Sequence, residues 1–248
     1  MDLPRIFVIR ERNHRVHNPF TEQKLALLGD VIRLRPGQTM LDLACGSGEM
    51  LCTWSRDHGI SGTGVDISTY FLGAARARAA ELGVADRVAF VHDDAAGFVA
   101  PTPVDVAACI GATWIGDGVP GTLALLEQSL VPGGLLLVGE PYWRIDSPDQ
   151  AVVEGCGFTS RDEFDDLPGL VESFGRLGWD VVEMVLADGD SWDRYAAAQW
   201  FSLRTWLDAN PDDELAGEVR AELDTAPALY VRYRRRYLGW GVFVLKRR

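Results

Sequence analysis

The sequence predicts an α/β fold built on a doubly wound, mostly parallel sheet, and three observations lead there. Short runs suited to buried strands, most of them apolar, alternate with longer helical stretches, at 39–43, 61–66, 87–92, 104–110 and 135–139. The first run enters a glycine turn, Gly46-Ser47-Gly48, which opens directly into a helical stretch from Glu49 to Arg56. The second run ends in an acid, Asp66, 18 residues past Gly48. Strand, glycine turn and helix N-terminus make a cradle for a nucleotide-sized ligand at the carboxyl edge of a sheet. A carboxylate at the tip of the next strand is placed to accept ribose hydroxyls.

Taken in order, residues 1–20 read as neither a core strand nor a strong helix. Thr21 caps a helix from Glu22 to about Arg33, with Leu25, Leu28, Val31 and Ile32 on one face. Arg35-Pro36-Gly37-Gln38 ends it before the first strand. After the second strand, a helix rich in Ala and Arg runs from Thr69 to Leu82 and stops at Gly83. The third strand, Arg87–His92, closes on Asp93-Asp94-Ala95. The fourth, Val104–Ile110, exits through Gly111-Ala112-Thr113-Trp114, and a helix follows from Thr122 to Leu130. Val131-Pro132-Gly133-Gly134 turns into a fifth strand, Leu135–Gly139, and Glu140-Pro141-Tyr142-Trp143-Arg144 leaves it at the carboxyl edge, where ligands of open α/β sheets bind. Residues 146–168 are irregular. A helix at Leu170–Leu177, a strand at Trp179–Leu186, an aromatic helix at Trp192–Ala209, helices at Pro211–Leu223 and Ala226–Arg236 and a last strand at Gly239–Leu245 complete the chain.

Composition narrows the function. The chain of 248 residues is 47% hydrophobic, enough for a buried core, and suits one α/β domain with modest insertions. Its formal net charge of −12 opposes a polyanionic partner, so no nucleic acid is expected. The basic cluster around Arg232, Arg234, Arg235 and Arg236 reads as a solvated helix face. The 4 cysteines form no Cys-x-x-Cys pair and the 4 histidines show no zinc spacing, so no metal is expected. Met1-Asp2-Leu3-Pro4-Arg5 does not begin a signal peptide, and no apolar run reaches membrane-span length. The expectation is a cytoplasmic protein with no membrane partner, as monomer or homodimer.

Asp42-Leu43-Ala44-Cys45-Gly46-Ser47-Gly48, followed by Gly64-Val65-Asp66-Ile67-Ser68, resembles the first two motifs of the class I S-adenosylmethionine-dependent methyltransferases. The likeness runs through most of the chain and is greatest to the YjhP-like branch, including Arg15-Val16-His17-Asn18-Pro19-Phe20-Thr21. The dehydrogenase fingerprint fits less well, because its third glycine would fall at Leu51. The resemblance implies seven strands with an antiparallel last strand, and a single domain over 1–248. Within it, 1–34 would be an N-terminal lid segment and 188–236 a helical cap inserted before the last strand. It also implies that S-adenosyl-L-methionine is the cofactor and S-adenosyl-L-homocysteine its product. The cofactor would be held by Asp42, Ala44, Gly46 and Gly48, by Asp66 and Ile67, by Asp94 and Ala95, where the acid bonds the adenine amino group, and by Gly111.

Methyl transfer from a sulfonium needs alignment and exclusion of water more than it needs acid–base groups. Glu140, Tyr142 and His17 are the catalytic candidates. Trp114, Trp143, Arg144, Tyr195 and Trp200 are the substrate-binding ones, being aromatic or cationic groups near the expected acceptor side. No Asn-Pro-Pro-Tyr follows the fourth strand, where Ile110-Gly111-Ala112-Thr113 stands instead. The expected acceptor is a small molecule, with a non-catalytic S-adenosylmethionine-binding or sensing protein as the alternative.

Overall fold

The computed structural model describes residues 2–145 and 148–248; the readings at Met1, Asp146 and Ser147 lie outside them. Its sheet comprises β1 (Thr39–Leu43), β2 (Ser61–Asp66), β3 (Val88–His92), β4 (Val104–Ile110), β5 (Leu130–Trp143), β6 (Trp179–Leu186) and β7 (Leu238–Arg247). The order is β3-β2-β1-β4-β5-β7-β6. β1 to β5 pair in parallel, and β7 runs antiparallel to both β5 and β6. Because β1 and β4 are neighbours, the chain reverses its direction of winding between them, which opens a crevice at their carboxyl ends.

The helices are α1 (Arg5–Glu11), α2 (Glu22–Val31), α3 (Glu49–His58), α4 (Thr69–Glu81), α5 (Val119–Glu127), α6 (Gln150–Gly155), α7 (Leu167–Arg176), α8 (Gly189–Ala209), α9 (Ala216–Leu229) and α10 (Arg235–Tyr237). Their starts follow capping chemistry. Thr21, Ser68 and Asp188 accept the backbone N–H of Lys24, Phe71 and Ser191 at the heads of α2, α4 and α8. Leu25 and Leu28 of α2, and Leu51, Cys52 and Trp54 of α3, pack on one face of the sheet. Leu123 and Leu126 of α5, with Leu170 and Phe174 of α7, pack on the other. Among the described residues no helix is long and apolar enough to cross a membrane.

Three of the differences from the sequence reading have clear physical causes. First, residues 5–11 are helical although Pro4 supplies no side-chain cap. α1 is held by tertiary packing: Ile9 is buried with Leu203, Trp206 and Val219 of α8 and α9. Arg10 also donates to Glu222 at 2.8 and 2.6 Å, and Arg5 donates to Asp213 at 3.0 and 2.6 Å. Second, β5 does not end at Gly139 but continues to Trp143, because β7 pairs with it residue by residue from Glu140↔Gly241 to Trp143↔Leu238. Third, the two helices expected over 211–236 are one continuous rod. Pro227 sits inside α9, and a π-helical turn at Tyr230–Arg234 carries the chain into α10.

Candidate functional site

The glycine turn after β1 is a strained stretch of backbone. Ala44, Gly46 and Gly48 have φ of 58°, 53° and 67°, in the left-handed region where a side chain is disfavoured. The Asp66 carboxylate holds this turn from β2, accepting from the Gly46 N–H (2.8 Å) through one oxygen and from the Ser68 N–H (2.8 Å) through the other. Each oxygen keeps a second lone pair for a further donor. Asp42 is buried beside it, and burial, reinforced by the Asp66 charge, pushes its carboxyl well above the usual range.

Residues 12–20 fold down over this turn. The His17 ring lies against Gly46 so closely that a Cβ there would come within 2.7 Å of Nδ1. His17 Nε2 is 2.9 Å from Ser47 Oγ, and its ring centroid is 4.2 Å from that of Phe71. Burial pushes the imidazole below its ordinary value, although the Glu11 and Asp66 charges work against it. Asn18 reaches the tip of β4, where its Nδ2 donates to the Ile110 carbonyl at 3.0 Å and its amide lies over Gly111 (φ 80°).

A buried polar network stands behind the lid. Glu11 is 1% exposed; its Oε1 accepts from Gln199 Nε2 (2.6 Å) and from the Tyr195 hydroxyl (3.0 Å). The same hydroxyl lies 3.1 Å from the His17 carbonyl, and His14 Nδ1 is 3.2 Å from Glu11 Oε2. Burial pushes Glu11 up, but the hydrogen bond and charge of His14 outweigh it, and the carboxyl rests below its usual value. Helix α8 is thus tied to the backbone of the residue that covers Gly46.

One cavity lies beneath the lid. It is bordered by Asp42, Ala44, Gly46, Asp66 and Gly111, by His17 and Asn18, and by Trp114 at its rim, 69% exposed. These residues include five of the nine expected to meet the cofactor, one catalytic candidate and one substrate candidate. Gly48, Ile67, Asp94 and Ala95 do not border it. A Cβ at Gly48 would fall 2.7 Å from the Phe90 ring and 2.9 Å from Ala75, so this glycine allows α3, α4 and β3 to pack. Asp94 is exposed at the same sheet edge and accepts from the Ala96 N–H at 2.9 Å.

The continuation of β5 corrects the reading of 140–144. Tyr142 is buried in the core on the α5 and α7 side of the sheet. Trp143 is 2% exposed, donates from Nε1 to the Arg161 carbonyl at 2.8 Å and meets Phe158 and Phe164 edge-on. Arg144 Nε donates to the Leu238 carbonyl at 3.1 Å. Glu140 lies outside the cavity lining, accepting from Thr113 Oγ1 at 2.7 Å, and burial pushes its carboxyl up to about 7. Trp200 packs on Tyr230, and Tyr195 acts from behind the lid without bordering the cavity. Leu3, Phe7, Met50, Phe71 and Val242 border it without having been singled out, since an apolar side chain facing a cavity has the sequence signature of one facing the core.

Comparison with known proteins agrees with this geometry. Residues 40–134 match the family described as "Methyltransferase domain". The chain is 60% identical over 245 residues to YjhP of Escherichia coli (strain K12), covering 99% of each. It is 61% identical to a SAM-dependent methyltransferase from Geobacter sulfurreducens solved in complex with S-adenosyl-L-homocysteine, with a TM-score of 0.98 over 100% of this chain and 99% of that one. A SAM-dependent methyltransferase from Thiobacillus denitrificans, solved with the same compound, is 58% identical with a TM-score of 0.98, and each chain is covered over 100% of its length. The chain belongs to the S-adenosylmethionine-dependent methyltransferases, in the branch that includes YjhP.

Proposed function

We propose that this protein binds S-adenosyl-L-methionine in the crevice over β1 and β4 and methylates a small-molecule acceptor. The observation that carries the reading is the meeting of Gly46, Asp66, Asn18 and Gly111 around a single cavity covered by His17. The groups present suit the cofactor. Asp66 has lone pairs free for ribose hydroxyls. When bound, S-adenosyl-L-methionine supplies an electrophilic methyl group. The lid residues His17 and Asn18 exclude water, while the left-handed turn and Asp66 fix the ligand's orientation. The complexes of the two bacterial relatives with S-adenosyl-L-homocysteine support this assignment. The net charge of −12 supports a small acceptor over nucleic acid.

Isothermal calorimetry tests the reading. S-Adenosyl-L-homocysteine should bind in the micromolar range, about −8 kcal/mol. Asp66→Asn should weaken it by about 1.5–3 kcal/mol, the scale of a hydrogen bond to a charged group. Absence of binding heat with both S-adenosyl-L-methionine and S-adenosyl-L-homocysteine would sink the proposal.

A further inference from the structure

The cavity over β1 and β4 is bordered by acids and by one guanidinium. Asp42, Glu49 and Asp66 supply the carboxyls. Arg15, in the segment that folds over the glycine turn, is the only lysine or arginine among the described residues that line it. Two of the acids are already engaged. Asp66 accepts from the Gly46 and Ser68 N–H groups, and Glu49, 4% exposed, accepts from Arg78 through both oxygens at 2.8 Å each. Arg78 also reaches Glu81 through Nη1 at 2.8 Å, so one arginine serves both glutamates.

Arg15 stands beside this group at longer range. Its Nη1 is 3.8 Å from Glu49 Oε2 and 3.6 Å from Glu81 Oε2, both longer than a good hydrogen bond, and its side chain is 47% exposed. Half-exposed ion pairs of that length stabilise a fold little, so little is lost when such an arginine turns to another partner. A guanidinium presents its N–H donors in a planar fork that matches the two oxygens of a carboxylate.

An S-adenosyl ligand would bring such a carboxylate to this place. S-Adenosyl-L-methionine and S-adenosyl-L-homocysteine both end in an amino acid. A ribose at Asp66 lies beside Gly46, which Asp66 holds, and Glu49, with Arg15 near it, follows Gly46 by three residues. The amino-acid tail has only that turn to cross. A carboxylate taken from water there needs a partner, and of the described residues bordering the cavity Arg15 alone carries a permanent positive charge. The tail also carries an ammonium group, so the balance between Arg15 and Arg78 on one side and Glu49 and Glu81 on the other is kept.

From this we infer that Arg15 receives the α-carboxylate of the bound cofactor through its fork, and that it makes the site select S-adenosyl ligands with an intact amino acid over adenosine compounds that lack the carboxylate. The inference rests on the methyltransferase reading above. It also gives residues 12–20 a reason to close on a loaded site, because the cation is on the covering segment and its counter-charge is on the ligand.

Isothermal calorimetry with two ligands tests it: S-adenosyl-L-homocysteine and its decarboxylated form, which keeps the adenosine, the sulfur and the ammonium group. The wild type should bind the complete compound at least tenfold more tightly, the scale of a hydrogen-bonded charge pair. Arg15→Gln should weaken S-adenosyl-L-homocysteine at least tenfold and leave the decarboxylated form within about twofold, so that the variant no longer tells the two apart. An equal loss for both ligands would show that Arg15 only seats the covering segment, and no loss for either would put the carboxylate elsewhere; both results overturn the inference. So does a wild type indifferent to the carboxylate, a readout that needs no variant. Failure of the wild type to bind S-adenosyl-L-homocysteine or S-adenosyl-L-methionine overturns the cofactor reading instead, and this inference with it.

Discussion

Glu140 shows how far a single side chain departs from what its position in the sequence suggests. A carboxylate at the carboxyl edge of a central strand looks like a base, yet it is 5% exposed and is bonded to Thr113 outside the cavity. Its energetic role is in stability. The folded carboxyl titrates at about 7, against 4.5 for the free group, so the native state holds the proton more tightly than the unfolded chain does. Stability from this group is therefore complete below about pH 4.5 and is lost as the pH rises through 7, a change of about 3 kcal/mol at roughly 1.4 kcal/mol per unit. Urea unfolding at pH 5 and pH 8 should show the wild type losing that much more than Glu140→Gln; parallel behaviour would mean the carboxyl is ionised throughout. Gly46 and Asp66 are the opposite case. Their placement together follows from a local strand, turn and strand-tip pattern, so it was legible in the sequence. Tyr142 and Trp143 were not, because a pairing with β7, 95 residues away at Trp143↔Leu238, decides which way they point.

The elements divide in the same way. β1, β2, β4 and β6 match their expected bounds, since each is a short run set off by turn residues. α1 and the extended β5 were missed because distant partners stabilise them, and local propensity says nothing of those partners. The junction between α8 and the lid is the element with most influence on the site. Tyr195→Phe removes the hydroxyl that donates to Glu11 and leaves a buried carboxylate with one donor fewer. It should cost about 1–3 kcal/mol in urea unfolding, the scale for an unsatisfied buried acceptor. It should also weaken S-adenosyl-L-homocysteine, because the buried network behind His17 then loses a member. Unchanged stability and affinity together would show that the network is inert.

For the whole molecule, the site is formed by the sheet and the N-terminal segment, and α8 braces that segment from behind, so its ligand should stabilise all three together. At one hundred times its Kd, S-adenosyl-L-homocysteine contributes about 2.7 kcal/mol. For a chain of this size that corresponds to a rise in Tm of about 5–10 °C, read as one transition in a calorimetric scan; two separate transitions, only one of them shifted, would show that lid and sheet melt independently. The docking of α1 onto α9 also has a consequence for biosynthesis. Arg10 and its partner Glu222 are 212 residues apart, so at about 5–20 residues per second the first helix leaves the ribosome roughly 10–40 s before the surface that receives it has been made. Through that interval Ile9 has no burial partner, which makes the nascent N-terminus a natural client for a holding chaperone, and a truncated translation product would lack the clamp that seats the lid.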